Sequence, residues 1–300
     1  MAPEARWAKR ASDAAGVNRQ VIAVSRFTQQ SAREQIETWG IETISADLMD
    51  PDSLRALPEA PNIIFMAGRK FGSTGAEALT WAMNAYLPSL VAQRFPQSRF
   101  AVFSSGNVYP LTPVAHGGST EADPTGPVGE YAQSVLARER LFEHFSRTHG
   151  TPVTIIRLNY AIDLRYGVLF DIATKVHRGE PVDVTMGHVN VIWQGDASAY
   201  VLMSLLQTTS PPSILNVTGP ETVSVRWAAR RFGELLGTEI IIQGTESPTA
   251  YLSNAAHCFS LFGYPSVPLE TMIRWVAHWV NIGGAALDKP THFETRDGRY

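Results

Sequence analysis

Cysteine is almost absent: the 300-residue chain has one, Cys258. A single thiol excludes an internal disulfide framework and suits a reducing compartment, so a cytoplasmic setting is expected. Lysine is scarce too. Lys9, Lys70, Lys175 and Lys289 are the only four, and arginine carries most of the positive charge. The net charge of -3 and pI near 6.2 give no electrostatic reason to expect a nucleic-acid partner. No uninterrupted apolar run has membrane-spanning length, so no membrane partner is expected. The amino terminus is charged and lacks the apolar core of a signal peptide. The eight histidines show neither H-E-x-x-H nor a Cys/His ligand spacing, so no metal site is expected. A G-x-S-x-G elbow is missing as well, which argues against a hydrolase of that type. Internal repeats, low-complexity tracts and inter-domain linkers are likewise not found.

What is present is an ordinary globular composition, 44% hydrophobic and 18% charged, over a length ample for a buried core. Pro3 and Glu4 open a helical pattern over residues 3–15. Short apolar runs at 21–24, 42–45 and 62–66 alternate with helical stretches at 31–39, 51–57 and 76–95. This alternation predicts an α/β fold with a doubly wound parallel sheet. Beyond it, 152–159 reads as a strand, 167–178 as a helix, 190–197 as a strand running into a helix, and 268–281 as a closing helix. Residues after 284 are rich in Gly, Thr and charge and read as a loose tail.

The chain is organised around residues 99–139. Phe100-Ala101-Val102-Phe103 stops abruptly at Ser104-Ser105-Gly106-Asn107-Val108-Tyr109, as a buried parallel strand does at its carboxyl end. In open α/β sheets that edge is where ligands sit. Tyr131 opens the next helical stretch, so its phenol and a strand-end hydroxyl can meet over one substrate.

These two segments resemble the extended short-chain dehydrogenase/reductase family, the NAD-dependent epimerase/dehydratase group. The family ends this strand with S-[ST]-x-x-V-Y-G and places Y-x-x-x-K about two dozen residues later; here Pro110 stands for the glycine and Val135 for the lysine. Weaker likenesses follow in the family's order: Gly179 to Val182, Asn190 to Ala197, Leu215 to Gly219 and Leu261 to Pro265. The resemblance implies a Rossmann-like domain over 1–160 with 186–207, a smaller substrate-binding lobe over 161–185 with 208–284, and a tail at 285–300. It implies hydride transfer, with Tyr131 taking the proton from a substrate hydroxyl and Ser105 holding the oxygen. It also implies that Ser25, Arg26, Asp47, Leu48, Met66, Ala67, Gly68, Asn84, Ser104 and Tyr131 surround the cofactor. Arg26 at the end of the second family strand favours NADP over NAD, because a guanidinium matches a 2′-phosphate; a solvated surface arginine is the alternative. Asp47 reads equally as a turn residue before Pro51, and Tyr131 as an ordinary packing tyrosine. Asn190, Trp193, Gln194 and the 165–167 segment are candidates for a sugar-like pocket.

Two departures bear on the chemistry. An unperturbed tyrosine titrates at about 10, and the family's lysine, which helps to lower that value, is replaced by an apolar side chain. Lys70, after the strand at 62–66, and Arg138, two helical turns beyond Tyr131, are the candidate replacement cations; a solvated cation or a salt-bridge partner is the alternative for both. The family's first strand and Gly-rich turn are also missing, with Met1 to Glu4 resembling the end of that turn and Ala2 at its last glycine. A stretch of roughly 15–20 residues ahead of Met1 is therefore expected in the native protein, against a natural variant that does without it; N-terminal sequencing of the native protein decides. The resulting expectation is an NAD(P)-dependent sugar or sugar-nucleotide epimerase, dehydratase or reductase. The alternative is a catalytically degenerate NADP-binding sensor or structural protein. A homodimer through the helices at 76–95 and 131–148 is typical of relatives.

Overall fold

Residues 3–289 and 291–299 are described by the structure, a computed structural model. Ala2, the expected end of the glycine turn, lies outside them. In chain order come α1 (Pro3–Ala14), β1 (Ile22–Ser25), α2 (Gln30–Glu37), β2 (Glu42–Ser45), α3 (Pro51–Arg55) and β3 (Asn62–Phe65). A long helical segment follows as α4 (Glu77–Trp81), a π-helical turn (Ala82–Tyr86) and α5 (Leu87–Arg94). Then come β4 (Arg99–Ser105), β5 (Thr112–Pro113), α6 (Gly129–His149), β6 (Val153–Leu158) and β7 (Ala161–Ile162). The remainder is α7 (Val168–His177), β8 (Val182–Asp183), β9 (His188–Val189), β10 (Ile192–Trp193), α8 (Gln194–Ser204), β11 (Ser213–Val217), β12 (Val223–Ser224), α9 (Val225–Leu236), β13 (Ile242–Gln243), β14 (Thr249–Ala250), α10 (Ala256–Phe262) and α11 (Leu269–Asn281).

Four of these strands form a parallel sheet in the order β11–β6–β4–β3, with Phe100 opposite Val153 and Asn62 opposite Arg99. Successive side chains leave a strand on opposite faces. Phe100, Val102, Val153 and Ile155 therefore join Phe65, Leu87, Val91 and Phe142 beneath α5 and α6. Ala101, Ile156, Leu215 and Val217 turn the other way and pack on Val201 and Cys258, from α8 and α10. Burial on both faces explains why β4 and β6 read as continuous apolar runs.

The other parallel pair, β1–β2, hydrogen-bonds separately from this sheet. Among the described residues no strand pairs with β1 beyond β2, or with β3 beyond β4. The consequence is visible in exposure: Val24 of β1 is exposed, whereas Val102 of β4 is fully enclosed. Helix α1 lies against α8, where the Ser198 hydroxyl donates to Glu4 at 3.3 Å.

A further core gathers Leu169, Ile172, Phe232, Ile273 and Val276, from α7, α9 and α11. Helix α9 starts where Ser224 accepts from the Trp227 amide and ends at Gly237 in the left-handed region, a common pairing of start and stop. Among the described residues no helix is long and apolar enough to cross a membrane.

The loose tail expected after 284 is instead anchored over residues 291–299. Phe293 and Thr291 are buried, and Asp171 Oδ2 accepts from both the Thr291 amide (2.8 Å) and its hydroxyl (2.6 Å). Arg296 donates to the Thr249 carbonyl at 2.7 Å and to its hydroxyl at 2.6 Å. Gly298 then presses on the backbone of Val128 and Gly129, so closely that a Cβ at either glycine would fall within 2.5 Å of a carbonyl oxygen. Composition marked the segment as irregular, and irregular backbone is compatible with tight anchoring when side chains supply the bonds.

Candidate functional site

The carboxyl end of β4 divides its two serines. Ser104 turns beneath the sheet edge and donates to the Glu139 carboxylate. Ser105 turns the other way and caps the short 3₁₀ turn Gly106–Val108, donating to Asn107 Oδ1 at 2.9 Å and accepting from the Asn107 amide at 3.2 Å. Tyr131 stands in the first turn of α6 and lines the same cleft as Ser105, whose hydroxyl is near enough to act on the phenol's titration. Strand end and helix start thus bring this pair together over a cleft of about 390 Å³.

Helical spacing decides what else shares the face of Tyr131. Ser134 bonds back to the Tyr131 carbonyl (2.8 Å) and accepts from Asn84 Nδ2 (3.0 Å). Val135, one turn on, is buried with Val108 and Tyr109. Arg138, two turns on, reaches back into the cleft. Its guanidinium donates to the Phe103 carbonyl at 2.8 Å, to Asn84 Oδ1 at 2.9 Å and to the Asn84 carbonyl at 3.3 Å.

Asn84 is wholly buried in the π-helical turn, a deformation often found at functional sites. Its amide clamps the backbone of Arg69 from both sides at 2.8 Å. Gly68, just before, has no side chain for a reason: a Cβ there would stand 2.4 Å from the Arg138 guanidinium.

Below the site runs a buried polar chain. Glu139 receives two bonds from Arg157, at 3.0 and 2.7 Å, with side chains only 2% and 3% exposed. Arg157 also donates to the Tyr109 hydroxyl (2.7 Å), which donates to Asn216 (2.9 Å). The net effect of these partners holds Arg157 above its usual range despite burial.

Electrostatics follow from enclosure. Burial pushes the Tyr131 phenol above its ordinary value; the Ser105 hydrogen bond and the Arg138 charge pull the other way. Burial lowers Lys70 to about 8 and pulls the Arg138 guanidinium below its usual range, where it stays charged, and the Lys70 ammonium lies 5.7 Å from the Tyr131 ring centroid. Tyr166 is pushed up to about 12, chiefly by burial. Glu4, in the first turn of α1, lines the cleft with its carboxyl raised by burial and Oε2 without a partner.

Of the residues expected around a cofactor, Met66, Gly68, Asn84, Ser104, Ser105 and Tyr131 line this cleft. Ala67 lies between two of them but is not among its lining residues. Ser25 and Arg26 stand exposed at the end of β1, and Asp47 and Leu48 follow β2, all outside the cleft. Asp47 accepts from the Met49 amide at 3.0 Å, which is the turn role. Gln194, Tyr166 and Gly167 line the cleft; Arg165 instead pairs with Asp163. Asn190 and Trp193 do not reach it. Asn190 is spent on the Glu221 carbonyl and the Ser253 amide, and Trp193 packs edge-on against Trp275 at 5.3 Å.

Several lining residues escaped the sequence: Arg69, Asn107, Asn159, Tyr160 and Thr291. Asn159 and Tyr160 follow β6 as Ser104 and Ser105 end β4, and an apolar run ending in polar residues is the shared signal. Tyr160 adopts a left-handed φ of 43°, unusual for an aromatic residue and the kind of outlier found at ligand sites.

The model of the NAD dependent epimerase/dehydratase family matches residues 8–196. Among solved structures, UDP-glucose 4-epimerase from Thermotoga maritima superposes with a TM-score of 0.74 at 14% identity, over 93% of this chain and 95% of that one. The Thermus thermophilus UDP-glucose 4-epimerase in complex with NAD gives 0.75 at 16% identity, over 95% and 97%. RMD from Pseudomonas aeruginosa, complexed with NADPH, gives 0.70 at 18% identity, over 88% and 100%. Comparison with curated protein sequences yields no match. The chain belongs to the NAD-dependent epimerase/dehydratase family.

Proposed function

We propose that this family member is a nicotinamide-dependent enzyme acting on a hydroxyl-bearing carbon of a sugar or sugar nucleotide, as an epimerase, dehydratase or reductase. The observation that carries the reading is that Ser105, at the end of β4, and Tyr131, at the start of α6, line one cleft together. The nicotinamide, when bound, supplies a hydride acceptor. Tyr131 takes the proton from the substrate hydroxyl, and Ser105 orients the same oxygen, so that proton and hydride leave one O–H and one C–H bond. Asn107 fixes the Ser105 rotamer. The apolar floor of Phe103, Leu158 and Ala197 keeps the reacting end poor in competing water.

The residues fit such a dinucleotide. At the reacting end Gly68 presents no side chain, leaving backbone and the Arg138 fork at the wall. At the other end Glu4 Oε2 is an orphaned buried acceptor that can receive a ribose hydroxyl. Arg26 would then meet a 2′-phosphate and favour NADP over NAD. Titration of the 300-residue protein with NADPH and NADH, followed by nicotinamide fluorescence, tests this. NADPH binding at least tenfold tighter, with the difference lost in Arg26→Ala, is expected; equal affinities in both proteins contradict the Arg26 role, and no binding contradicts the cofactor reading.

A second reading, a cofactor-binding sensor without hydride chemistry, is favoured by the raised Tyr131. A phenol kept neutral donates a hydrogen bond and takes no proton. It predicts cofactor binding with no turnover in any sugar-nucleotide screen.

A further inference from the structure

Arg138 is a buried cation held by neutral groups. All three of its hydrogen bonds end on amide or peptide oxygens, of Asn84 and Phe103. The neighbouring Glu139 bonds Arg157 and Ser104 rather than Arg138, and acts on the guanidinium only through its charge. Among the described residues no carboxylate lies within ion-pair distance of Arg138, so its full charge stays on the wall of the cleft. An ion buried this way is costly unless something of opposite sign shares its surroundings. Tyr131 lines the same cleft, where it also faces Lys70, whose ammonium lies 5.7 Å from the phenol ring, and the phenols of Tyr160 and Tyr166.

We propose that Arg138 is the positioning cation of the reaction: its guanidinium, fixed by Asn84 and Phe103, stabilises the tyrosinate form of Tyr131 across the cleft. The assignment rests on the Ser105–Tyr131 reading of the site. Three features build it. Position 135, one turn from Tyr131, is an apolar core position and supplies no charge. Position 138 supplies it from the next turn, along the same helix face. Gly68 leaves the space that the fork occupies, since a Cβ would stand 2.4 Å from it. Unlike a flexible ammonium, the planar fork is held at three points, so its charge sits at one place while the substrate proton moves.

The test reads Tyr131 directly, without cofactor or substrate. Nine tyrosines absorb together, so the ultraviolet titration of Tyr131→Phe is subtracted from that of the parent, and likewise within each variant background, so that the coupling of Tyr131 to Tyr160 and Tyr166 enters every difference alike. A nearby opposite charge moves a titration by roughly 1–3 units. Arg138→Gln is therefore expected to shift the Tyr131 step upward by at least about one unit, leaving about tenfold less tyrosinate at a fixed pH below the midpoint. Each variant is first checked by its thermal melt. If Arg138→Gln does not fold, Asn84→Asp replaces it: a carboxylate against the guanidinium cancels its charge, and the step must again move upward. An unmoved step in the folded neutral variant or in Asn84→Asp overturns the proposal. Turnover of Tyr131→Phe stands apart: its retention defeats the reading of the site, whatever Arg138 does to the titration.

Discussion

Replacing Glu139 by alanine tests the buried chain beneath the site. Three donors converge on this carboxylate: the Ser104 hydroxyl and two nitrogens of Arg157. With side-chain exposures of 3% and 2%, neither Arg157 nor Glu139 has bulk water to turn to. Removing the acid strands a buried guanidinium, which costs about 3–5 kcal/mol, and orphans the Ser104 hydroxyl at about 1 kcal/mol more. Against a typical total of about 5–15 kcal/mol, that is a large fraction. At roughly 2–4 °C per kcal/mol, the melt of Glu139→Ala should fall by about 8–24 °C. Glu139→Met with Arg157→Met removes both charges and fills the space. It should recover most of the loss, because a matched apolar pair often replaces a buried ion pair without penalty. Urea unfolding of the two singles and the double supplies the cycle. A Glu139→Ala loss under about 1 kcal/mol, or a double no better than the worse single, refutes the claim that an uncompensated charge is the cause.

Three further outcomes follow from particular groups. Lys70 has its folded pKa lowered from 10.5 to about 8 by burial, so between those values the unfolded chain binds more protons and stability must rise with pH. Lys70→Met should be flatter over that window in urea unfolding; an equal slope contradicts the burial of its charge. Asp171→Ala removes the acceptor for two bonds from Thr291, so limited proteolysis should cut within 285–299 while the rest of the chain stays protected. Cleavage no faster than in the parent would mean that Phe293 and Arg296 alone hold the strap. Because this strap presses on Gly129 at the start of α6, the same variant should lose cofactor or substrate affinity before it loses overall stability, which paired melts and titrations check.

The alternation of apolar runs and helical periods was enough to read α/β order from the sequence, since strands buried on both faces cannot hide their composition. Strand ends at Ser25, Ser45, Phe65 and Ser105 fall within a residue or two of the reading. Ser105 and Tyr131 were legible because a hydroxyl at a strand end and a tyrosine opening a helix are local features. Arg138 was reachable from helical spacing alone. What could not be read depends on distant chain. Asn84 clamps Arg69 only because a π-helical turn rotates it inward, and no local pattern announces that turn. The left-handed Tyr160 belongs to no glycine or asparagine signal. Asn190 and Trp193 looked pocket-facing in their segment, yet bonds to Glu221 and Ser253 and packing on Trp275 hold them elsewhere. Thr291 lines the cleft from a stretch whose composition suggests a free end.

Turnover of Tyr131→Phe beside the parent is the most direct measurement of the central claim. Both proteins are incubated with NAD or NADP and a panel of UDP-sugars, following nicotinamide absorbance and the sugar products by chromatography. Loss of the phenol's hydroxyl leaves packing intact and removes the group that takes the proton. The account predicts a converted sugar in the parent and a loss of about 10²–10⁴-fold in the variant, at unchanged melting temperature. Equal turnover in the two proteins contradicts it.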